Sequence, residues 1–132
     1  MERWEKWIPI DNIPQKIYLD SFVDDNEGIA MTFSSEDGKK GILVRFEGIV
    51  LSYRNTDEGS LLKTWKLLGH HYGDGFYSRW SLFQVKNSEY LNWFLKESCG
   101  VYEPGKVLHY VFATPNDVVE VLSTYAPNVT IE

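Results

Sequence analysis

Residues 16–46 read KIYLDSFVDDNEGIAMTFSSEDGKKGILVRF. In this stretch Ile17, Leu19 and Ser21 alternate with Tyr18, Asp20 and Phe22, and Ile29, Met31 and Phe33 later take every second position. An apolar period of two is the mark of a strand with one buried face. Asp25-Asn26-Glu27-Gly28 interrupts the pattern as a turn. Glu36-Asp37-Gly38 interrupts it again with an Asp-Gly hairpin signal. Lys40 to Phe46 supplies a third strand. Glu47-Gly48 reads as a bulge or tight bend, with Ile49 to Arg54 continuing as strand. The stretch predicts an antiparallel meander.

Upstream, Arg3 to Ile10 reads as a short helical turn with Trp4, Trp7 and Ile8 on one face, punctuated by Pro9 and Pro14. Downstream the period changes. Leu61, Leu62, Trp65 and Leu68 follow helical spacing, with Gly69 suited to the C-cap and His70 to Gly75 as loop. Phe76 to Val85 reads as strand. Asn87 or Ser88 caps a helix whose apolar stripe is Tyr90, Leu91, Phe94 and Leu95 and which Gly100 ends. Val107 to Ala113 is apolar on both faces, as a central strand is. Thr114-Pro115-Asn116-Asp117 has the makings of a helix start: an N-cap hydroxyl, Pro at N1 and an acid completing a capping box. Val118, Val119 and Leu122 would carry that helix inward until Pro127 breaks it, before a last strand over Val129 to Ile131. The predicted fold is α+β: an N-terminal antiparallel meander, then strand-helix-strand-helix-strand, in a mixed or antiparallel sheet with helices on one face.

At 132 residues the chain fits one domain spanning 1–132. A chain of this size buries roughly two-thirds of its unfolded surface, enough for a core without staples. Cys99 is the single cysteine, so no intramolecular disulfide forms. The first residues mix charges with rings and lack the apolar run of a signal peptide. No stretch has the roughly 20 apolar residues of a membrane span. The expected location is the cytoplasm. The net charge of −6 disfavours nucleic acid as a general partner, since phosphate binding needs basic surface. Between Lys16 and Lys39 there is no Lys or Arg, while Asp20, Asp24, Asp25, Glu27, Glu36 and Asp37 fall there. These acids form either solvated hairpin tips or a negative patch for a basic partner.

Local motifs for chemistry are missing. His70 and His71 are adjacent and His109 lies in an apolar strand, without the ligand spacing of a zinc site, so no metal is expected. No G-x-S-x-G occurs. Cys99, at a helix C-terminus, lacks the positive field that makes a thiolate. The pairs Asp24-Asp25, Glu36-Asp37 and Asp57-Glu58 sit in turns and point apart. Gly69 to Gly75 is glycine-rich but has no P-loop pattern or lysine. No catalytic residue or cofactor is assigned. The most conspicuous segment gathers His70, His71, Tyr72, Asp74, Phe76, Tyr77, Arg79 and Trp80 among glycines. It reads either as a recognition loop of rigid rings and adaptable polar groups or as a loop whose rings fold back onto the sheet.

Two stretches carry a family likeness: Phe83-Gln84-Val85-Lys86-Asn87-Ser88-Glu89-Tyr90-Leu91-Asn92-Trp93-Phe94 and the run from His109-Tyr110-Val111-Phe112-Ala113-Thr114 to Leu122. Together, over about the C-terminal third, they resemble small acidic cytosolic proteins of bacteria, some of which are encoded beside polymorphic toxins and act as immunity proteins. The resemblance implies a non-enzymatic binder.

The leading expectation is therefore an immunity or inhibitor protein that blocks a basic partner such as a toxin. Tyr72, Phe76, Tyr77 and Trp80 would anchor it, Asp20, Asp24, Asp25 and Glu27 would steer, and His70, His71 and Asp74 would add polar contacts. The alternative is a small-ligand-binding or sensory domain with an aromatic-lined pocket between sheet and helices. A third reading is a dispersed active site pairing His109 with Asp20 or Glu47.

Overall fold

The computed structural model describes all 132 residues. Nine strands and two α-helices follow in the order β1 (Arg3–Lys6), β2 (Ile17–Asp25), β3 (Gly28–Ser35), β4 (Gly41–Glu47), β5 (Ser52–Asp57), α1 (Leu62–Tyr72), β6 (Leu82–Lys86), α2 (Glu89–Glu97), β7 (Leu108–Ala113), β8 (Asp117–Ser123) and β9 (Asn128–Ile131). They form two antiparallel sheets: a meander sheet ordered β2-β3-β4-β9 and a central sheet ordered β1-β6-β7-β8-β5. The fold is α+β with the predicted N-terminal meander.

Burial follows the sequence period. In β3 and β4 every second residue is buried, namely Ile29, Met31, Phe33 and Ser35, then Ile42, Val44 and Phe46. The other face of the meander sheet meets solvent, as an antiparallel sheet allows. β7 and β8 are buried on both faces. Tyr110, Phe112, Val119 and Val121 join the inter-sheet core, and Val111, Ala113, Val118 and Leu122 face the helices. The molecule is thus layered meander sheet, central sheet, helices.

Three segments differ from expectation. Residues Arg3–Lys6 form the edge strand β1 on β6, not a helical turn. The i, i+3 spacing of Trp4 and Trp7 mimics a helix face, but an odd separation along extended chain sends the rings to opposite faces. Trp4 packs under α1 and Trp7 packs on Tyr110, with centroids 4.9 Å apart. The segment after Thr114 is strand β8, not helix. Thr114 Oγ1 does accept from the Asn116 and Asp117 amides, but Thr114 N also donates to Asp117 O at 2.8 Å and closes a hairpin. A threonine hydroxyl makes the same bonds in a turn as at an N-cap. Three valines and apolar residues on both faces then favour the strand. Third, α1 runs through Gly69 and ends at Gly73, whose φ is +92°. His70, His71 and Tyr72 are its last turn rather than loop, and Tyr72 stacks on Phe76 at 4.3 Å. Phe76–Ser78 is a 3-10 turn, and strand begins only at Leu82.

The chain leaves β4 at Gly48 and crosses to the central sheet, so β5 is not a continuation of the meander. This crossover presses on the β2–β3 turn. A Cβ at Gly28, where φ is +117°, would lie 2.1 Å from the Phe46 carbonyl oxygen and 2.9 Å from Gly48 N. Only glycine fits there.

Candidate functional site

On the helix-facing side of the central sheet the apolar residues divide into two clusters. Trp4, Leu68, Phe83, Val85, Val111, Ala113 and Val118 lie under α1, and Tyr90, Val107 and Leu122 lie under α2. A polar row fills the divide. Hairpin register sets Val111 opposite Glu120 and His109 opposite Leu122, so His109 and Glu120 are diagonal neighbours on one face. His109 Nε2 lies 2.9 Å from Glu120 Oε1. Arg54, directly across from Glu120 on β5, grips it through Nε at 2.7 Å and Nη2 at 3.1 Å. Ser88, the N-cap of α2, accepts from Leu91 N and lies 2.7 Å from His109 Nδ1. Every hydrogen finds an acceptor when Ser88 donates to Nδ1 and the ring carries its hydrogen on Nε2, toward Glu120.

Burial drives the Glu120 carboxyl upward. Hydrogen bonds from His109 and Arg54, with the attraction of those groups, outweigh it and hold Glu120 below the usual carboxylate range. Desolvation likewise works against the Arg54 guanidinium, and Glu120 more than restores it. Serine, imidazole and carboxylate in a row have the order of a nucleophilic relay. Here Ser88, His109 and Glu120 are 2%, 2% and 3% exposed, and the serine oxygen is committed to a helix cap. The row pins α2 to the sheet. The partners of His109 are thus Ser88 and Glu120; Asp20 and Glu47, the expected ones, belong to the meander sheet.

The row surfaces only at Arg54, whose side chain is half exposed and lies over the Tyr90 ring at 4.1 Å. Tyr90 hydroxyl bonds Ser52 Oγ. Above them a groove opens between the helices. It has a volume of about 520 Å³ and is lined by Glu2, Ser52, Tyr53, Arg54, Thr64, Glu89, Tyr90 and Trp93.

The predicted interface residues fall on other parts of the surface. Asp20 sits at a bulge of edge strand β2 and accepts from Ser34 Oγ at 3.2 Å. Asp24 accepts from the Tyr53 hydroxyl at 2.9 Å, and Asp25 accepts from Glu27 N within the turn. All four acids are exposed. Asp24, Asp25 and Glu27 lie at the β2–β3 turn, beside Glu47 and the crossover. The ring segment lies at the opposite end of the sandwich, where Gln15 reaches Ser78 O and Ser81 Oγ reaches Gln15 O, just before β2. Its rings fold back: Tyr77 stacks on Trp65 at 4.1 Å, Phe76 packs on Phe83, and Trp80 Nε1 donates to Trp7 O. His70, His71 and Asp74 are exposed, and Tyr72 is 37% exposed. The acids and the rings therefore do not form one continuous face.

Around the acidic end there is a feature that the sequence reading passed over. The β2–β3 turn and the crossover enclose a notch of about 450 Å³ lined by Asp24, Asp25, Gly28, Ile49 and Tyr53 among others. Ile49 is 84% exposed, Val23 46% and Tyr53 42%. The signal was Ile49 itself, an isoleucine beside a glycine bend and read as part of a strand. Comparison with family models, with curated proteins and with solved structures returned no match.

Proposed function

We propose that the chain is a non-enzymatic protein-binding domain that docks a basic partner at this acidic end, in the manner of the immunity and inhibitor proteins its C-terminal third resembles. One observation carries the reading: exposed Ile49 and Tyr53 line one notch with the carboxylates of Asp24 and Asp25, and Glu27 and Glu47 lie beside it at the turn and the neighbouring strand end. Arg45, 4.0 Å from Glu47, is the basic residue paired at that strand end. Exposed apolar groups beside one sign of charge have the anatomy of a recognition patch: the charges speed encounter and the apolar groups hold the complex. The burial of His109 and Glu120 and the commitment of Ser88 to a cap also favour binding over catalysis.

The test is affinity capture from the native host at low and high salt, followed by binding measurements on the purified partner. The reading expects a basic protein whose association rate falls steeply with salt and with the Asp25→Lys/Glu27→Lys pair. It expects Ile49→Glu to speed dissociation. Failure to capture any protein at either salt, or a partner indifferent to all three substitutions, overturns it.

A further inference from the structure

We infer that the outer face of α1 docks into the acidic notch of a second copy of the chain. The inference uses the notch of the proposed partner site but requires no host partner; a docked copy would compete with one.

α1 differs in charge from the rest of the chain. The protein has 19 Asp and Glu against 13 Lys and Arg, yet Leu62–Tyr72 contains no acid and holds Lys63, Lys66, His70 and His71. Helical spacing sets Lys66 one turn from both Leu62 and His70, and Lys63 one turn from Leu67. All five of these residues are exposed, Leu62 at 72% and Leu67 at 44%. The opposite face is spent on the core, where Leu68 is buried and Trp65 packs beside it. The ion pairs of the molecule are made by Lys16, Arg45, Arg54 and His109, so both lysines of α1 are without a carboxylate partner. The helix therefore presents a strip of leucines and lysines that nothing in its own chain covers.

The notch is the complement of this strip. Asp24 and Asp25, with Glu27 and Glu47 beside them, offer carboxylates to the lysines. Ile49, 84% exposed, and Tyr53 offer apolar surface to Leu62, and a notch of about 450 Å³ admits a leucine side chain. The two surfaces lie in different layers: α1 covers the helix-facing side of the central sheet, and Asp24 and Asp25 belong to the meander sheet. The strip cannot reach the notch of its own chain, so the pairing is between copies, and it joins unlike surfaces. Such a contact leaves one surface free at each end and adds copies head to tail. At physiological ionic strength the Debye length is about 8 Å, so the mutual repulsion of two acidic chains is screened while groups in contact still attract. An anionic membrane is the other surface that a basic helix with exposed leucines fits, but the net charge of −6 opposes it.

The experiment is sedimentation velocity over a range of concentrations at physiological ionic strength. Wild-type protein should grow in mass with concentration, past the dimer. Lys63→Glu/Lys66→Glu, which alters the strip, and Ile49→Glu, which alters the notch, should each lose about tenfold or more in association constant. Mixed in equal amounts, the two should form a dimer and stop there, because each supplies one working surface. Both are more acidic than the wild type, so lowered repulsion does not account for a mixed dimer. Should Ile49→Glu perturb the crossover, the second variant combines Asp25→Lys/Glu27→Lys with Lys63→Glu/Lys66→Glu in one chain; with charge reversed on both surfaces, association should return. The inference is overturned if wild-type protein stays monomeric up to about 1 mM, where even weak contacts register. It is equally overturned if either altered surface alone leaves association unchanged, if the mixture stays monomeric, or if the lysine substitutions abolish only binding to phosphatidylserine vesicles. A monomer throughout leaves the host-partner reading to its own capture experiment.

Discussion

Glu120→Gln tests the polar row most directly. The carboxylate accepts three hydrogen bonds, from Arg54 Nε, Arg54 Nη2 and His109 Nε2. Glutamine keeps the shape and one acceptor. It turns the other oxygen into a donor that faces either Arg54 or His109. Each hydrogen bond to a charged group is worth about 1.5–3 kcal/mol net. Half-exposed Arg54 recovers part of its loss from water, which lowers the sum to about 3 kcal/mol. At this chain length that is a fall in melting temperature of about 10 °C. The pH dependence fixes the mechanism. A carboxylate whose folded value is depressed contributes stability above its unfolded value, about 4.3 for glutamate, and loses it as pH falls through the folded value. The wild-type advantage over Glu120→Gln should be full at neutral pH and shrink steadily in acid below about pH 4. Urea unfolding followed by tryptophan fluorescence at a series of pH values measures both. Equal stability at neutral pH would refute the reasoning and mean that desolvation cancels the hydrogen bonds; an advantage that persists undiminished into strong acid would refute it too and mean that the ionised carboxylate is not its source.

Three further outcomes follow from local geometry. Gly28→Ala should cost more than about 3 kcal/mol, or abolish folding, because the methyl group meets backbone on both sides of the crossover at a positive φ; soluble yield and urea midpoint report it. Ser88→Ala should cost about 1–2 kcal/mol and speed amide exchange in the first turn of α2, since it removes the cap and the partner of His109 Nδ1. Cys99→Gly should gain about 0.5–1 kcal/mol by relieving a left-handed φ of +53° at an exposed position, read as a raised melting temperature.

The meander was legible because its two signals agree: alternation gives strands, and Asp-Asn-Glu-Gly and Glu-Asp-Gly give turns. α2 was legible for the same reason, with Ser88 ahead of an apolar stripe. The helix expected after Thr114 failed because a cap and a hairpin turn use the same hydroxyl bonds, and only the valines behind it distinguish them. That error also hid the polar row. Once residues 114–117 close a hairpin, pairing Ala113 with Val118 brings His109 and Glu120 onto one face, and a lone glutamate among valines then demands a basic neighbour. The ends to which the acids and rings go depend on the sheet-to-sheet crossover at Gly48, which no local pattern encodes. The notch at Ile49 is created by that same crossover.

The two helices stand on separate apolar footings, and this sets how the molecule breathes. Either helix can lift while the other stays seated, exposing one small cluster instead of the whole layer. Native-state exchange should therefore show α1 and α2 opening as distinct units, each well below the free energy of global unfolding. A molecule wider than the resting groove could gain entry through one such partial opening.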